Sequence, residues 1–215
     1  MHPLIFPVLF LGIYSTIAYF RGRKKNRWIA GWISSETEEV LQPRDKEYIN
    51  IGGTIGYNIT YKMDPPYKEA EGLFTLLPRH SALYLPISML FVRYDRYFLH
   101  LFCTKKLLGE GHIVSGDYYP KMRTNIEGEW RMKKETTTKH NQVFHLFWEA
   151  NPMEERLKKL LEQLGPEEAA NLKHFCCYKD NKNFFIFMRP RREMVKKILG
   201  AIYPRLESFM VKGGE

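Results

Sequence analysis

The feature that most constrains this chain is a charge-free apolar run, residues 3–20, that ends directly in a basic cluster. As a helix, these 18 residues would extend about 27 Å, close to the ~30 Å thickness of the hydrocarbon core of a bilayer. Five of the next seven residues are basic: Arg21, Arg23, Lys24, Lys25 and Arg27. Residues 1–20 are therefore predicted to be a transmembrane anchor.

The order of the charges predicts how this anchor is oriented. A cleaved signal peptide carries its basic residues before the apolar run, whereas here they follow it. Because basic flanks lie on the cytosolic side of membrane helices, we expect the N-terminus to be outside or lumenal and the rest of the chain to be cytosolic. The aromatic rings of Tyr19, Trp28 and Trp32 suit the membrane interface. A buried helix of a soluble domain is the alternative.

The chain as a whole has a composition compatible with one ordinary globular domain. Of the 215 residues, 44% are hydrophobic and 27% are charged, a mixture typical of folded proteins rather than disordered ones. The formal net charge of +9 indicates an anionic partner. Charge alone does not distinguish nucleic-acid phosphate from lipid headgroups.

The cysteines predict neither a disulfide framework nor a metal site. Cys103, Cys176 and Cys177 are odd in number, two of them are adjacent, and the sequence contains no CxxC motif and no Cys/His spacing typical of zinc. We therefore expect buried, reduced thiols that behave as small hydrophobic residues. No cofactor and no metal are predicted.

Periodicity predicts an α+β domain with an antiparallel sheet and helices packed on one face. The membrane helix continues through residues 21–43 as a basic, amphipathic juxtamembrane helix that Pro43 ends. Residues 44–215 form the predicted cytosolic domain. Its first part is expected to contain strands around a turn at Gly52-Gly53, a helix over 65–77 and a hairpin over 86–103 with its turn at 94–96.

The second part of the domain repeats this order of elements. A strongly amphipathic helix is predicted over 152–164, followed by a hairpin around Asp180-Asn181. A final helix over 190–210 is expected to kink at Pro204. Two passes of a helix followed by a hairpin are compatible with an internal duplication.

Residues 109–152, between these two parts, form a basic segment with glycines and short strand-like runs. A mobile insertion or an extra β-ribbon fits this pattern better than a linker between two domains does.

Three groups of basic residues are the candidate sites for an anionic ligand, either rRNA or lipid. The first basic group follows the apolar run, the second lies in the 109–152 segment, and the third opens the last predicted helix. In order, they are Arg21, Arg23, Lys24, Lys25 and Arg27; Lys121, Arg123, Arg131, Lys133 and Lys134; and Arg189, Arg191, Arg192, Lys196 and Lys197.

Each basic group also has a purely structural explanation. The first group is what a membrane helix needs at its cytosolic end, where lipid headgroups favour each basic residue by about 1 kcal/mol. Arginines in the first turn of a helix oppose the helix dipole, so the third group points to a bound anion. A solvated helix face explains the third group equally well.

No catalytic motif is recognisable, and an enzyme is not predicted. The sequence has no P-loop, no GxGxxG and no GxSxG motif. His140 and His145 are five residues apart, which places them on different faces of a helix or strand, and His100 lies in an apolar run typical of a hydrogen-bonded core histidine. A membrane-anchored enzyme would need a deep polar pocket that perturbs an acid or base.

Several stretches, taken in order, resemble one known family. The membrane exit carries Tyr19, Phe20, Gly22, Lys25, Asn26, Arg27, Ala30 and Trp32. It is followed by GLFTLLPR (72–79), CTKKL (103–107) and NFFIFMRPRREMVKKILGAIYPRLESF (183–209). This order resembles the calumin family, whose members are single-pass, coiled-coil-containing subunits of the PAT complex in the endoplasmic reticulum. In that family, the counterpart of 72–79 is a helix that precedes a hairpin.

The resemblance implies a factor for membrane-protein biogenesis. Calumin-like proteins lie beside the Sec translocon, contact the ribosome through a cytosolic α/β domain, and help an intramembrane chaperone to shelter nascent multi-pass clients. The implied partners are the ribosome, the Sec translocon, membrane lipid and a small membrane protein. The implied location is the endoplasmic reticulum or, for a minimal version of the family, an archaeal plasma membrane.

Two features of the family are not matched. The acidic lumenal region and the basic C-terminal coiled coil have no counterpart, so calcium binding and ribosome contacts made by those regions do not carry over. The alternative to a biogenesis factor is a membrane-surface module that uses all its basic residues on anionic lipid and binds an unknown protein.

Overall fold

A single helix, α1 (Ile5–Leu41), joins the apolar N-terminal run to a folded domain in this computed structural model, which describes residues 5–122 and 129–211. Its 37 residues extend about 55 Å. Gln42 adopts a left-handed conformation and donates its N–H to the Glu38 carbonyl, and Pro43 follows. This arrangement ends a helix, so the helix is continuous from the apolar run to Leu41, just before Pro43, as the sequence predicted.

Nine strands form one sheet in which every neighbouring pair is antiparallel. They are β1 (Asp45–Asn50), β2 (Gly56–Lys62), β3 (Tyr67–Thr75), β4 (Arg96–Cys103), β5 (Gly111–Ser115), β6 (Lys133–Lys139), β7 (Gln142–Trp148), β8 (Leu172–Tyr178) and β9 (Asn183–Met188). Their spatial order is β1-β2-β3-β4-β9-β8-β5-β7-β6.

Five shorter α-helices and two 3-10 helices complete the described chain. They are α2 (Tyr84–Phe91), α3 (Tyr119–Met122), α4 (Asn151–Glu162), α5 (Pro166–Asn171) and α6 (Met194–Ile202), with 3-10 helices at Glu129–Arg131 and Tyr203–Phe209. The predicted α+β class with an antiparallel sheet is confirmed. The amphipathic helix over 152–164 and the hairpin around Asp180-Asn181 are also confirmed, as α4 and β8–β9.

The main core lies between one face of the sheet and the helices α1, α4, α5 and α6. Strand β4 shows the alternation: Tyr97, Leu99 and Leu101 are fully buried in this core, and the residues between them point to the other face. Burial of such side chains stabilises the fold by about 1.5–3 kcal/mol each. A smaller cluster on the other face packs Met122 of α3 against Val114 and nearby rings.

The prediction of a helix over 65–77 is wrong, because these residues form β3. The register against β4 shifts between Tyr67 and Glu69, which marks a bulge. The extra residue leaves Tyr67 and Ala70 both buried although they are three positions apart, a spacing that imitates a helix. The family resemblance placed 72–79 in a helix, and that expectation fails too. Without this helix, the expected repeat of helix then hairpin is absent from the first part.

The prediction of a hairpin over 86–103 is wrong for its first strand and right for its second. Only its second half is a strand, β4, whereas residues 84–91 form the helix α2. The apolar run 82–92 has no strict alternation, so its periodicity does not separate a strand from a short helix.

The last predicted helix is shorter than expected. It begins at Met194 rather than near residue 190, because Glu193 takes a positive φ of 66° immediately before it. At Tyr203–Phe209 the α-helix gives way to a 3-10 helix that contains Pro204, where a kinked α-helix was expected.

The segment 109–152 belongs to the sheet. Strand β5 lies between β8 and β7, inside the sheet, and β6 and β7 form a two-stranded ribbon at its edge. The ribbon interpretation therefore fits 133–148, and the interpretation as a separate insertion is wrong for β5. Arg123 of the second basic group lies outside the described residues.

Candidate membrane-facing and anion-binding surface

The N-terminal half of α1 is long and apolar enough to cross a membrane. Only 6% of its most apolar 18-residue window is buried against the protein. A core helix of a soluble domain would be mostly buried, and here side chains such as Val8 and Phe10 project freely.

The junction between this helix and the domain is tightly packed at Gly22 and Asn26. A Cβ added to Gly22 would lie 2.1 Å from the backbone oxygen of Arg79, so the helix touches that loop directly. The fully buried Asn26 donates its side-chain N–H to the carbonyl of Leu77 at 2.9 Å and accepts from Arg79 Nη1 at 3.0 Å. The helix therefore meets the domain at a fixed point.

An ion pair extends this junction to the start of β4. Arg79 donates two hydrogen bonds to the Asp95 carboxylate, at 2.9 and 2.7 Å, and both side chains are largely buried. Asp95 also accepts the backbone N–H of Leu77 at 2.8 Å. A two-pronged guanidinium–carboxylate pair fixes both distance and orientation. It therefore pins together the two ends of the segment 77–95, which contains α2.

The loop that leads into helix α2 lies beside α1. The rings of Tyr19 and His80 are 6.1 Å apart, and α2 begins four residues later. Of the eight residues of α2 only Ser88 is buried. The segment between Leu83 and Phe91 therefore exposes a continuous apolar surface a few residues beyond the point where this loop contacts α1.

The structure brings the first and third basic groups together around α1. The guanidinium of Arg192 lies over the ring of Trp28, 5.6 Å from its centre, and that of Arg189 lies 5.3 Å from the ring centre of Tyr94. Arg23 turns back to donate to the hydroxyl of Tyr19. These contacts place charges from two distant segments at one end of the domain.

The start of α6 has a protein anion as its partner. Glu36 of α1 accepts the backbone N–H of Glu193 at 2.6 Å and that of Lys196 at 3.1 Å. Lys196 also forms an ion pair with Glu39. The carboxylate of Glu36 caps the positive end of the helix, so the helix dipole already has an anionic partner within the protein and gives no separate indication of a bound ligand. The exposed Arg191 precedes the helix instead of opposing its dipole.

The predicted interfacial aromatic residues divide between two environments. Tyr19 and Trp28 are exposed along α1. Trp32 is half-buried and packs against the main core, so its ring belongs to the domain.

The second basic group lies elsewhere. Lys133 and Lys134 begin β6, the last strand of the sheet, and four strands separate β6 from β4. Lys133 donates to the Asn151 side chain, and Lys134 is exposed. Arg131 stacks over the exposed ring of Trp130 at 4.4 Å.

The strand register shows at which end of the sheet this group lies. The pairings run from Lys134 through Phe147, His112, Cys176 and Phe185 to His100 of β4. His100 is four residues along β4 from Arg96, a distance of about 13 Å. Lys133 and Lys134 are therefore displaced from the α2 end of the sheet, both across the strands and along them, whereas Lys121 of the same group lies on α3.

A buried polar cluster is a feature that sequence reasoning missed. His112, His174 and Cys176 lie side by side on β5 and β8, with donor atoms within 4.8 Å of one another. His112 donates from Nε2 to Glu110 Oε1 at 3.0 Å, and its Nδ1 lies 3.1 Å from His174 Nε2. Only the β5–β8 register joins residues so distant in sequence, so no local motif could have revealed them.

Burial in this cluster favours the uncharged forms of His174 and Cys176. Burial, together with the electrostatic influence of the neighbouring His112, holds the pKa of His174 well below its ordinary value. Burial likewise raises the pKa of the Cys176 thiol well above its usual range. A thiol with a raised pKa is a poor nucleophile. All three cysteines are buried and free, as predicted.

The open face of the sheet carries a shallow aromatic groove of about 560 Å³ between β1 and β9. Its polar members include Glu71 and His100, which pair across β3 and β4. Glu71 is exposed, and His100 is hydrogen-bonded to Asn183 at 3.2 Å. Burial lowers the pKa of His100. Neither side chain lies at the bottom of a deep polar pocket of the kind that a catalytic acid or base would need.

A scan against protein-family models finds no match to this chain, and a search of curated proteins finds none either. The function is therefore argued from the arrangement of the site.

Proposed function

We propose that this protein is a non-enzymatic, membrane-anchored accessory factor of the ribosome–Sec translocon that assists the insertion or folding of multi-pass membrane proteins. In this proposal α1 crosses the membrane with its N-terminus outside, and the domain lies in the cytosol. The membrane is that of the endoplasmic reticulum or an archaeal plasma membrane. The partners are the ribosome, the translocon, membrane lipid, nascent multi-pass clients and a small membrane protein.

The separation of the basic groups is the observation that carries this proposal. The first group directly follows the apolar half of α1, and Arg192 reaches Trp28 on the same helix, so the headgroups of a membrane there would lie near these charges. Lys196 pairs with Glu39, near the other end of α1. Lys133 and Lys134 of the second group lie at a remote edge of the same sheet. A domain charged in this way can bridge two anionic surfaces, and beside a translocon those surfaces are the bilayer and the rRNA.

The fixed junction supports the same function. Because α1 is continuous and Gly22, Asn26 and Arg79 lock it to the domain, the orientation of the helix in the membrane determines where Lys133 and Lys134 point. A factor that must meet both a ribosome and a membrane helix benefits from such rigidity, because less orientational freedom is lost on binding.

The second candidate is a membrane-surface module in which all three basic groups contact anionic lipid. The cation–π contacts of Arg189 and Arg192 favour it for the third group, because aromatic–basic pairs are typical of membrane interfaces. This candidate predicts binding to anionic vesicles and no preference for ribosomes.

Sedimentation of the detergent-solubilised full-length protein with ribosome–translocon complexes, across a salt series, tests the proposal. Nuclease treatment first removes free RNA. We expect co-sedimentation that falls steeply as salt rises, because displaced counterions drive binding to phosphate. Absence of co-sedimentation at low salt would overturn the ribosome assignment and leave the lipid-binding module.

A further inference from the structure

Helix α2 exposes an apolar surface to solvent. None of its eight residues is charged, and all but Ser88 are at least partly exposed. The exposed fractions reach 75% for both Leu90 and Phe91, and 67% for Leu83 just before the helix. Soluble proteins rarely leave such a continuous apolar patch uncovered.

The position of α2 identifies what covers this surface. Tyr19 at the end of the apolar run touches His80, and Gly22 touches the backbone of Arg79. The 79–80 loop thus meets α1 at the level where its apolar segment ends, and α2 begins four residues further along the chain. A bilayer that surrounds residues 5–20 of α1 therefore ends close to the loop that leads into α2.

The charges around α2 follow the pattern of an interfacial helix. No charged residue lies between Arg79, which pairs with Asp95, and the exposed Arg93 that follows the helix. Tyr84 and Tyr94 add amphipathic rings at its two ends. Basic and aromatic residues that flank an uncharged apolar stretch keep polar groups in the headgroup layer and apolar ones in the acyl chains.

The length of α2 limits how it can lie. Eight residues extend about 12 Å, much less than the ~30 Å of a hydrocarbon core, so α2 cannot span a membrane. The Arg79–Asp95 pair ties together the two ends of its loop. This tether keeps the helix next to α1 instead of letting it extend away from the domain.

We propose that α2 is a second membrane contact, embedded in the cytosolic leaflet beside α1 with its apolar side chains among lipid acyl chains. Two contacts fix the rotation of the domain about the α1 axis, which one helix alone leaves free. The proposal rests on the membrane anchoring proposed above and not on the ribosome assignment.

Depth-dependent fluorescence quenching tests this contact in the full-length protein. An environment-sensitive fluorophore is attached to the cysteine of the Leu90→Cys variant. The labelled protein is reconstituted in phosphatidylcholine–phosphatidylserine vesicles. These vesicles contain lipids that carry a spin label, which quenches the fluorophore, at a shallow acyl position. Phe10→Cys on α1 is the positive control. Val211→Cys is the negative control, because Val211 bonds to Lys106 beyond the far end of β4. The buried native cysteines give the labelling background in the unsubstituted protein.

We expect the fluorophore at Leu90 to be quenched at least as strongly as that at Phe10, which lies nearer the middle of the bilayer, and several-fold more than that at Val211. Phe91→Cys repeats the measurement in case the first variant folds poorly. Quenching at position 90 no greater than at position 211 would overturn the proposal. A different result would also overturn the proposal: self-quenching of the fluorophore that rises with the protein-to-lipid ratio, with no quenching by the spin-labelled lipid. That result would show that the surface of α2 binds a second copy of the protein.

The controls separate this proposal from the proposed function. Quenching at Phe10 without quenching at Leu90 means that the anchor is real and α2 lies outside the bilayer. Quenching at neither site means that the membrane anchor itself is wrong.

Discussion

The end of the domain next to α2 and the β6 edge of the sheet are both rich in basic residues, but their surroundings differ. At the α2 end, arginines stack on Trp28 and Tyr94 beside an exposed apolar helix, and acidic residues of α1 cap or pair with the start of α6. At the β6 edge, Lys134 is exposed on a strand whose other residues are mostly lysines and threonines. Basic residues thus occur beside aromatic and apolar side chains at the α2 end and among polar side chains at the β6 edge.

The contrast shows that net charge alone does not indicate which kind of anion a surface binds. The residues around each basic side chain are more informative. Basic residues mixed with aromatic and apolar surface suit a lipid interface, where each side chain has a matching layer. Basic residues on a polar edge suit phosphate. The predictions below test this division.

The largest expected effect is on the junction that holds the two regions in a fixed relation. Gly22→Ala would place a methyl group 2.1 Å from the Arg79 carbonyl, so the helix must move away from the loop. We expect this overpacking to lower the free energy of unfolding by about 3 kcal/mol. Denaturant unfolding of the detergent-solubilised protein measures this change.

A glycine on the same helix provides the matched control for this substitution. A methyl group at Gly31 meets nothing within 4 Å, so Gly31→Ala should stabilise the helix by about 0.5–1 kcal/mol. Equal effects of the two substitutions would show that α1 does not touch the 79–80 loop.

The next largest effect concerns pH and the buried His174. Above its ordinary pKa of 6.5 the side chain is neutral in both the folded and the unfolded state. As the pH falls below that value, His174 becomes protonated in the unfolded chain but stays neutral in the folded chain. Stability should therefore decrease between pH 6.5 and pH 5, with at most about 1.4 kcal/mol per pH unit from this group.

His174→Leu isolates this contribution. In the folded protein His174 faces His112 and the ring of Tyr118, with Cys176 two residues along the same strand. The variant should unfold with a shallower pH dependence, while His100, whose pKa is also lowered, keeps part of the slope. An unchanged slope would mean that His174 is protonated or solvated in the folded state.

The smallest effect tests the lipid side of the comparison. Arg191→Gln removes one exposed charge near the membrane end, and a basic residue near an anionic surface contributes about 1 kcal/mol. Energy transfer from tryptophan to dansyl-labelled phosphatidylserine in reconstituted vesicles should therefore decrease. Lys105→Gln, beyond the far end of β4, should leave it unchanged. Equal decreases for the two variants would remove the distinction between the two ends.

Local patterns predicted most of the regular elements. The long helix ended by Pro43, the amphipathic α4 and the β8–β9 hairpin each carry their signal within a few adjacent residues. The antiparallel α+β class follows from these elements. The β3 bulge defeated the same reasoning, because one extra residue turned a strand alternation into a helix-like spacing at Tyr67 and Ala70.

The site was less predictable because distant residues complete it. The sequence shows three basic groups, but not that Arg192 reaches Trp28 or that Glu36 caps α6. The apolar run of α2 was visible and was assigned to a strand. The meaning of α2 depends on the contact between Gly22 and the loop that leads into α2, which only the packed structure supplies.

The most direct test of the account compares charge-reversal variants of the two regions. Each variant is sedimented with ribosome–translocon complexes across a salt series. Lys133→Glu with Lys134→Glu should weaken co-sedimentation and reduce the slope of log affinity against log salt by about 1.5–2, because two phosphate contacts are lost. Arg191→Glu with Arg192→Glu should leave ribosome binding nearly unchanged. Normal binding by the first variant, or loss of binding only in the second, would contradict the account.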